Sequence, residues 1–318
     1  MGDLGHVLVL AGGLSYEREV SLRSGRRVSE VLRGAGVSVE TRDTDASLVP
    51  YVLADPPDAV FVTLHGGAGE DGAIRSVLEL LSVPYVGAGP DACRVAFDKP
   101  TAKTVVRSVG LRTPDSVTLP KETFHDLGAA SVLARIVERM GLPLFVKPSR
   151  GGSALGASIV RAAEDLPSAM VGCFAYGDTA LIERCIEGVE ISVSVIDLGD
   201  GPTALPPVEI VPDTGVYDYA ARYTAGHTEF FAPARLSPEV SAACAQMAVT
   251  AHTALGLRDV SRTDLIVDRA GLPYFLEVNV APGMTETSLF PMAVEAAGDD
   301  LGALCRLLLE QAAARANA

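Results

Sequence analysis

The apolar positions in the first part of the chain alternate between strand-like runs and helix-like spacing. The run HVLVLA at residues 6–11 ends in two glycines, and Val20, Ser24, Val28 and Leu32 then recur at the spacing of one helix face. The strand-like segments VSVETRD, DAVFVTLHGG and VPYVGAG follow at intervals. Strands that alternate with helices predict an α/β domain with a parallel sheet, whose ligands gather at the carboxyl ends of the strands.

A second informative pattern is the segment PLFVKPSRGGSALGASIV, residues 143–160. It predicts a strand that ends at Lys147, a loop of small residues from Ser149 to Gly156, and a second strand. No GxxxxGK[ST] motif occurs and a strand follows the loop, so it is not a P-loop. A glycine-rich loop between antiparallel strands can fold over a triphosphate, with Lys147 as a point charge. A plain hairpin loop is the alternative.

A third pattern, at residues 259–284, predicts two strands joined by a tight turn. Period-two alternation places Asp264 opposite Glu277, with Phe275 and Asn279 on the same face as Glu277. Two facing carboxylates repel, so the pair needs a cation, or one carboxyl must keep its proton. Oxygen ligands without Cys or His suit Mg²⁺. An exposed hairpin face with ordinary surface charges is the alternative.

Composition narrows the class of protein. The chain has 318 residues, 48% of them hydrophobic, which is enough for two or three globular domains. Its net charge of −14 argues against nucleic acid or an anionic membrane as a partner. The five scattered cysteines form no CxxC and indicate a reducing compartment. No signal segment opens the chain, so we expect a cytoplasmic protein that acts on small molecules.

Several polar residues are candidates with two interpretations. Glu17 stands at a helix start behind a glycine turn, where it could cap the helix or hold a substrate ammonium group. Glu183, Glu187 and Glu190 flank a strand boundary and could bind a ribose or be solvated edge charges. Residues 212–235 are polar and aromatic without clear periodicity, which is typical of a lid or binding loop.

Six motifs in order give the chain a family resemblance: GGLSYEREVSLRSG, LHGGAGEDG, VKPSRGGSALG, YDYAARY, RTDLIVD and LEVNVAPGMTETSLFP. Over nearly its whole length the chain resembles the D-alanine–D-alanine ligases of the ATP-grasp superfamily. The resemblance implies an α/β substrate-binding domain at residues 1–90 and two α+β lobes that grasp ATP. The central lobe, with the glycine-rich loop, would span residues 91–182. The C-terminal lobe, with the lid and the Mg²⁺ site, would span residues 183–318.

The resemblance also implies a nucleotide site and a metal site. ATP is expected at Lys99, Lys147, Glu183, Glu190 and Arg222, with the first two on the phosphates and Glu183 and Glu190 near adenine and ribose. Two Mg²⁺ ions are expected at Asp264, Glu277 and Asn279. A homodimer is expected as well.

For the amino acids, the resemblance implies a site built from several segments. Glu17, linked through Ser153 and Tyr223, would hold the ammonium group of the first D-alanine, and His65 would lie nearby. Arg262 and the Gly283 backbone N–H would stabilise the oxyanion. Ser288 would bind the carboxylate of the second D-alanine.

Three positions depart from the common family pattern: Ala154 follows Ser153 in the glycine loop, Arg222 replaces a lysine in the lid, and Val280 follows Asn279. They leave room for another D-amino acid as substrate, or for cyclisation of an amino-acid derivative. A non-catalytic nucleotide-binding regulator is a further possibility. It fits poorly, because a regulator has no reason to keep paired carboxylates against their repulsion.

Overall fold

A four-stranded parallel sheet forms the amino-terminal part of the chain in the computed structural model, which describes residues 4–213, 217, 221–222 and 226–316. Its strands are parallel, as predicted from the alternation of strands and helices, and their order is β2-β1-β3-β4. The elements are β1 (Val7–Leu10), α1 (Arg18–Gly34), β2 (Val39–Arg42), α2 (Leu48–Ala54), β3 (Ala59–Val62), a short 3₁₀ turn (Gly67–Gly69), α3 (Ala73–Leu80) and β4 (Tyr85–Val86).

The middle of the chain forms an antiparallel sheet of order β5-β8-β6-β7. Its elements are α4 (Pro90–Phe97), α5 (Lys99–Ser108), β5 (Ser116–Pro120), α6 (Lys121–Leu127), α7 (Ala129–Met140), β6 (Leu144–Pro148), β7 (Ser158–Val160), a 3₁₀ turn (Ala163–Asp165), α8 (Leu166–Phe174) and β8 (Thr179–Arg184). The glycine-rich segment is therefore a loop between two antiparallel strands, as predicted.

The carboxyl-terminal part forms a second antiparallel sheet of order β12-β11-β9-β13-β14, with β10 paired to β9. Its elements are β9 (Gly188–Ile196), β10 (Thr203–Ala204), β11 (Val208–Pro212), β12 (Thr228–Phe231), α9 (Pro238–Ala254), β13 (Val260–Asp268), β14 (Pro273–Asn279), α10 (Leu289–Ala296) and α11 (Leu301–Ala316). The three sheets confirm the predicted fold class. Within the described ranges, no helix is long and apolar enough to cross a membrane.

Packing between elements does not follow chain order throughout. Ala96 of α4 and Val106 of α5 share a core with Phe275 of the third sheet, although they lie in the predicted central lobe. Leu308 of α11 packs in one core with Phe61 of the first sheet. The domain boundaries at residues 90 and 182 stay a prediction. The shared hydrophobic cores contain residues from both sides of each boundary.

The β13–β14 hairpin has the predicted pairing and one feature that alternation did not predict. Asp264 pairs directly with Glu277, but the register then shifts, so that Leu265 pairs with Phe275. The extra residue, Leu276, makes a β-bulge, and a bulge turns the side chains beyond it to the other face. Phe275 is therefore fully buried in the core beneath the sheet. The prediction that Phe275 shares a face with Glu277 is wrong.

Candidate active site

A cavity of about 740 Å³ lies between the middle sheet and the carboxyl-terminal sheet. Its size suits a ligand as large as a nucleotide. The glycine-rich loop covers one side, while β8, β9, β13 and β14 contribute the walls. Among the predicted site residues, the cavity brings together Lys99, Lys147, Glu183, Glu190, Arg222, Asp264 and Glu277.

A chain of alternating charges runs through the floor of this cavity. The Lys103 Nζ atom lies 2.7 Å from one carboxylate oxygen of Glu183, and the Lys147 Nζ atom lies 3.0 Å from the other. Lys147 Nζ also lies 3.6 Å from Glu277, and Lys99 Nζ lies 3.8 Å from Glu277. Three lysines and two glutamates thus form one buried series, which joins helix α5 to both antiparallel sheets.

The charges in this series hold each other ionised against the cost of burial. Burial alone would raise the pKa of Glu277, but the positive charges of Lys99 and Lys147 outweigh it and lower the pKa to about 2. Burial would also raise the pKa of Glu183, yet Lys147 and Lys103 keep it below its ordinary value. Both glutamates are therefore anionic at neutral pH. Lys99 and Lys147 line the open cavity, where they can bind a ligand that carries negative charge.

Lys103 belongs to this arrangement although the motifs did not single it out. Its side chain is fully buried and donates hydrogen bonds to Thr113 Oγ1 (2.8 Å) and to the Phe275 carbonyl (3.3 Å). Burial lowers the pKa of Lys103 to about 8, against the opposing charge of Glu183. A signal was present in the sequence, because Lys103 follows Lys99 by four residues and so shares its helix face.

We expect the substitution Lys103→Met to destabilise the fold. Removing Lys103 takes away one of the two lysines that balance the buried Glu183, and since Lys147 remains, the loss of unfolding free energy should lie near the lower end of the about 3–5 kcal/mol that breaking a buried ion pair costs. Urea denaturation measures the loss, and adding Glu183→Gln to Lys103→Met should recover part of it. Lys121→Met, which breaks the exposed pair with Asp178, is the matched control and should change little because that pair is solvated. An equal loss in both single variants would contradict the assignment.

Asp264 and Glu277 face each other across the hairpin, and protein cations flank both. Arg262 donates two hydrogen bonds to Asp264, of 2.9 and 2.8 Å, and Ser192 donates a third of 2.9 Å. Lys99 and Lys147 flank Glu277. From the sequence, the two facing carboxylates were expected to need a cation between them or a proton on one of them. In the structure, basic side chains offset much of the repulsion between the two carboxylates.

The donor set at the hairpin fits Mg²⁺. Carboxylate oxygens of Asp264 and Glu277 line the large cavity, and Asn279 lies two residues beyond Glu277 on the same strand. The Asn279 side-chain oxygen accepts a hydrogen bond from Ala281 N (2.9 Å), which leaves it a second lone pair. Within the described part of the chain, no three His, Cys, Asp or Glu side chains form a closed metal cluster. Mg²⁺ usually takes one or two protein carboxylates and completes its shell with water and substrate phosphates, so this open set suits it.

A second, smaller cavity of about 80 Å³ adjoins the first, and Glu277 lines both. Predicted amino-acid-binding residues converge there from three separate parts of the chain, together with the predicted metal ligand Asn279. They are Glu17, His65, Ser153, Arg262, Gly283 and Ser288. A compartment of this size, next to a nucleotide-sized cavity, is suited to small polar molecules that react with the nucleotide.

Glu17 does not cap its helix. Its side chain makes no capping hydrogen bond and instead accepts a hydrogen bond from Ser153 Oγ in the glycine-rich loop. A Cβ at Gly66 would lie 2.3 Å from a Glu17 oxygen, and one at Gly152 would lie 2.9 Å away, so the carboxylate packs against two glycines. Ser153 takes a left-handed φ of 53°, a backbone state that costs about 1–3 kcal/mol and is common at binding sites. The helix-cap interpretation of Glu17 is wrong.

His65 is a neutral member of a hydrogen-bond network. Its Nε2 atom lies 2.9 Å from Ser24 Oγ, which also accepts a hydrogen bond from Met284 N (3.1 Å). Burial lowers the pKa of His65 to about 4, so the ring carries no charge at neutral pH. The network ties the loop that follows β14 to helix α1, and it places His65 on the wall of the small cavity beside Glu17.

The loop after β14 supplies a backbone donor and a hydroxyl group to the small cavity. Within the described residues, the Gly283 N–H has no acceptor, and Gly283 lines the cavity next to Arg262. The Ser288 hydroxyl accepts a hydrogen bond from Thr285 N (2.9 Å), which fixes its position at the cavity edge. A free N–H beside a guanidinium group is an arrangement that can stabilise an oxyanion.

The remaining predicted residues lie at the junction of the cavities or outside the described residues. Arg222 lines both cavities and donates to the Tyr217 carbonyl (3.2 Å), with its guanidinium 4.2 Å from the Tyr217 ring centre. Burial raises the pKa of Glu190 to about 7, and it lines the large cavity. Glu187 is an exposed partner of Arg269. Tyr223 lies outside the residues that the structure describes.

Two family models match the chain. The model described as D-ala D-ala ligase C-terminus matches residues 105–310, and the model described as D-ala D-ala ligase N-terminus matches residues 45–88. Among proteins of similar sequence, a D-alanine–D-alanine ligase from Pelotomaculum thermopropionicum is 40% identical and covers 96% of this chain and 95% of its own length.

Solved structures of similar fold belong to D-alanine–D-alanine ligases as well. The structure of a D-alanine–D-alanine ligase from Coxiella burnetii superposes with a TM-score of 0.83 at 27% identity, covering 99% of this chain and 96% of its own. That of a D-alanine–D-alanine ligase from Bacillus anthracis, complexed with ATP, has a TM-score of 0.79 at 28% identity and covers 98% of each chain.

Proposed function

Because the chain belongs to the D-alanine–D-alanine ligase family, we propose that it joins two D-alanine molecules at the expense of ATP, for the synthesis of peptidoglycan precursors. One observation carries the proposal for this chain. A nucleotide-sized cavity and a cavity of amino-acid size meet at Glu277, and each is lined by charges that suit its ligand. ATP is a cytoplasmic metabolite, so the reaction takes place in the cytoplasm. The predicted homodimer stays a prediction.

The nucleotide occupies the large cavity in this proposal. Lys99 and Lys147 hold the phosphates beneath the glycine-rich loop, and Glu183, held by Lys103, orients Lys147. Glu190 lies on the ribose side. Asp264, Glu277 and Asn279 would hold two Mg²⁺ ions, which, when bound, neutralise the phosphate oxygens and favour phosphoryl transfer.

The reaction begins with activation of a carboxylate. The first D-alanine is held by its ammonium group at Glu17, with its carboxylate toward the nucleotide cavity, where Lys99 and Lys147 orient the γ-phosphoryl group for in-line transfer. The product is an acyl phosphate and ADP. An acyl phosphate accepts attack by a neutral amine, which a free carboxylate does not. The glycine-rich loop and the segment that contains Arg222 keep water away from it.

The second D-alanine then attacks the acyl carbon. Ser288 binds its carboxylate and places its amine beside the acyl group. The attack moves electrons onto the carbonyl oxygen, and Arg262 with the Gly283 N–H stabilises that oxyanion. Collapse of the tetrahedral intermediate breaks the bond to the phosphate oxygen, the departing phosphate takes up the proton that the attacking nitrogen loses, and the peptide bond remains.

A direct assay tests the proposal. The purified protein is given ATP, Mg²⁺ and, in separate reactions, D-alanine, D-serine, D-lactate and L-alanine, while phosphate and amino-acid products are measured. We expect one ADP and one phosphate for each D-alanyl-D-alanine, and no turnover of L-alanine.

The alternative function is ligation or cyclisation of another D-amino acid, which the replacements Ala154 and Arg222 near the substrate cavity favour. Phosphate release with another amino acid, without any D-alanyl-D-alanine, would establish this alternative in place of the main proposal.

A further inference from the structure

Glu70 is a buried carboxyl group that the mechanism above leaves without a role. It directly follows the 3₁₀ turn after β3, where its backbone N–H donates to the Gly67 carbonyl (3.0 Å). Only 6% of the residue is exposed, and it lines the small cavity together with Glu17, Ser153 and Arg262. Within the described part of the chain, no residue donates a hydrogen bond to its carboxyl group or forms an ion pair with it.

The cations that act on Glu70 make their hydrogen bonds and ion pairs with other groups of the described residues. Arg75 Nη1 donates to the Gly69 carbonyl (2.5 Å), while its Nε has no partner among the described residues, and Arg262 donates to Asp264 through Nε and Nη2. Lys99 donates to the Gly151 carbonyl (2.6 Å) and faces Glu277. A buried carboxyl group needs a partner or must keep its proton, and none of the residues that the structure describes supplies a partner to Glu70.

Glu17 and Glu70 therefore form a second pair of neighbouring carboxyl groups, both in the lining of the small cavity, and among the described residues no basic side chain forms an ion pair with either. One side-chain oxygen of Glu17 already accepts from Ser153. An ammonium group has three N–H donors and one positive charge. In a buried site, the acceptor positions that Glu17 has left beside its bond to Ser153 cannot satisfy all of these. A small cationic group between the two carboxylates would meet both needs.

We propose that Glu70 is the second carboxylate of the ammonium site and that, together with Glu17, it binds the α-ammonium group of the first amino-acid substrate. The proposal rests on the proposed ligase function and deepens it. It makes the site selective for a primary ammonium group over the hydroxyl group of an α-hydroxy acid, because a neutral hydroxyl leaves the two carboxylates unbalanced.

The electrostatics of the empty site give the proposal a measurable consequence. Burial raises the pKa of Glu70 to about 8, the negative charge of Glu17 raises it further, and Arg75, Arg262 and Lys99 oppose both effects. His65, on the same wall, is neutral. At neutral pH the empty site therefore holds a proton on Glu70, and the arriving ammonium group displaces it.

The sign of the pH dependence follows from this displacement. The bound state requires ionised Glu70, whereas the free state is protonated below its pKa of about 8. Affinity for the amino acid therefore rises with pH, by up to about tenfold per pH unit between pH 6 and 8, and levels off above.

Calorimetry of D-alanine binding tests the proposal, with full-length protein, Mg²⁺ and a non-hydrolysable ATP analogue. Titrations at pH 7 in buffers of different ionisation enthalpy count the protons released. We expect about one proton per D-alanine for the unaltered protein and about none for Glu70→Gln, whose affinity should also no longer rise between pH 6 and 8. Glutamine has the shape of a protonated carboxyl group, so the empty variant keeps its fold, and the two proteins should differ least at pH 6.

Glu19→Gln is the matched control, since Glu19 is an exposed glutamate two residues after Glu17 and does not line the cavity. It should retain both the proton release and the pH dependence. If Glu70→Gln releases protons as the unaltered protein does, the role of Glu70 is overturned while the ligase function stands. If the unaltered protein neither binds D-alanine nor forms the dipeptide, the proposed function fails, and the role of Glu70 fails with it.

Discussion

Glu277→Gln is expected to lower the rate of ligation about a thousandfold while the protein stays folded. Among the described residues, Glu277 is the one acidic side chain that lines both cavities, and it faces Asp264 at the proposed Mg²⁺ site. Its pKa of about 2 makes it anionic at any working pH, and the neutral amide would bind Mg²⁺ weakly. Losing about 4 kcal/mol of stabilisation in the phosphoryl-transfer transition state corresponds to a roughly thousandfold lower rate.

Two measurements separate a metal role from a general disturbance of the site. Steady-state rates are recorded over a range of Mg²⁺ concentrations, and the thermal unfolding midpoint is measured for the same preparation. We expect residual activity of Glu277→Gln to need more Mg²⁺, with an unfolding transition as cooperative as in the unaltered protein. Glu295→Gln, an exposed change on α10, is the control and should keep full activity. Unchanged turnover and Mg²⁺ dependence in Glu277→Gln would remove this residue from the metal site.

The carboxylate pair was predictable because it depends only on local geometry. Strand alternation and a short turn are enough to place Asp264 opposite Glu277. The bulge at Leu276 was not predictable, because a period-two pattern gives no information about one extra residue. It matters for the site, since it buries Phe275 in the core while Glu277 still faces the cavity.

Contacts between segments that are distant in sequence could not be predicted from the spacing of residues along the chain. Glu17 and Ser153 are 136 residues apart, and their connection was inferred only through the family resemblance. Lys103 and Glu70 read as ordinary charged residues of a helix and a loop. Their importance comes from burial and from groups on other elements. Lys103 pairs with Glu183, and Glu70 lines the small cavity beside Glu17. The family resemblance predicted roles for residues that are distant in sequence, but only at positions that belong to the family's motifs and have a known role there.

Asp264 shows how one residue can serve two cavities. Its carboxylate faces the nucleotide cavity, but the two hydrogen bonds from Arg262 tie it to the wall of the small cavity. The guanidinium is thereby held in one orientation before substrate arrives. Such preorganisation is what makes a charged donor effective in a transition state, since no reorganisation is needed when the oxyanion forms.

Arg262→Lys is accordingly expected to slow the chemical step more than it weakens binding. Lysine keeps the positive charge but cannot donate the paired, planar hydrogen bonds that fix the group on Asp264. Removal of one oxyanion donor typically lowers kcat about a hundredfold to a thousandfold. Because Arg262 lines only the small cavity, the KM for ATP should change by much less than kcat.

Separate assays of the two half-reactions locate the effect of Arg262→Lys. Hydroxylamine, which is a small neutral amine, traps the acyl phosphate, whereas dipeptide formation needs the correctly placed second D-alanine and a stabilised oxyanion. If Arg262 acts on the oxyanion, both products fall together, since each forms through a tetrahedral intermediate, while the ADP formed in the first turnover, which reports acyl-phosphate formation, is retained. Arg135→Lys, at an exposed ion pair with Glu138 on α7 that lines neither cavity, provides the control and should leave both rates unchanged. A kcat for Arg262→Lys within a few-fold of the unaltered protein would show that the Gly283 N–H alone carries the oxyanion.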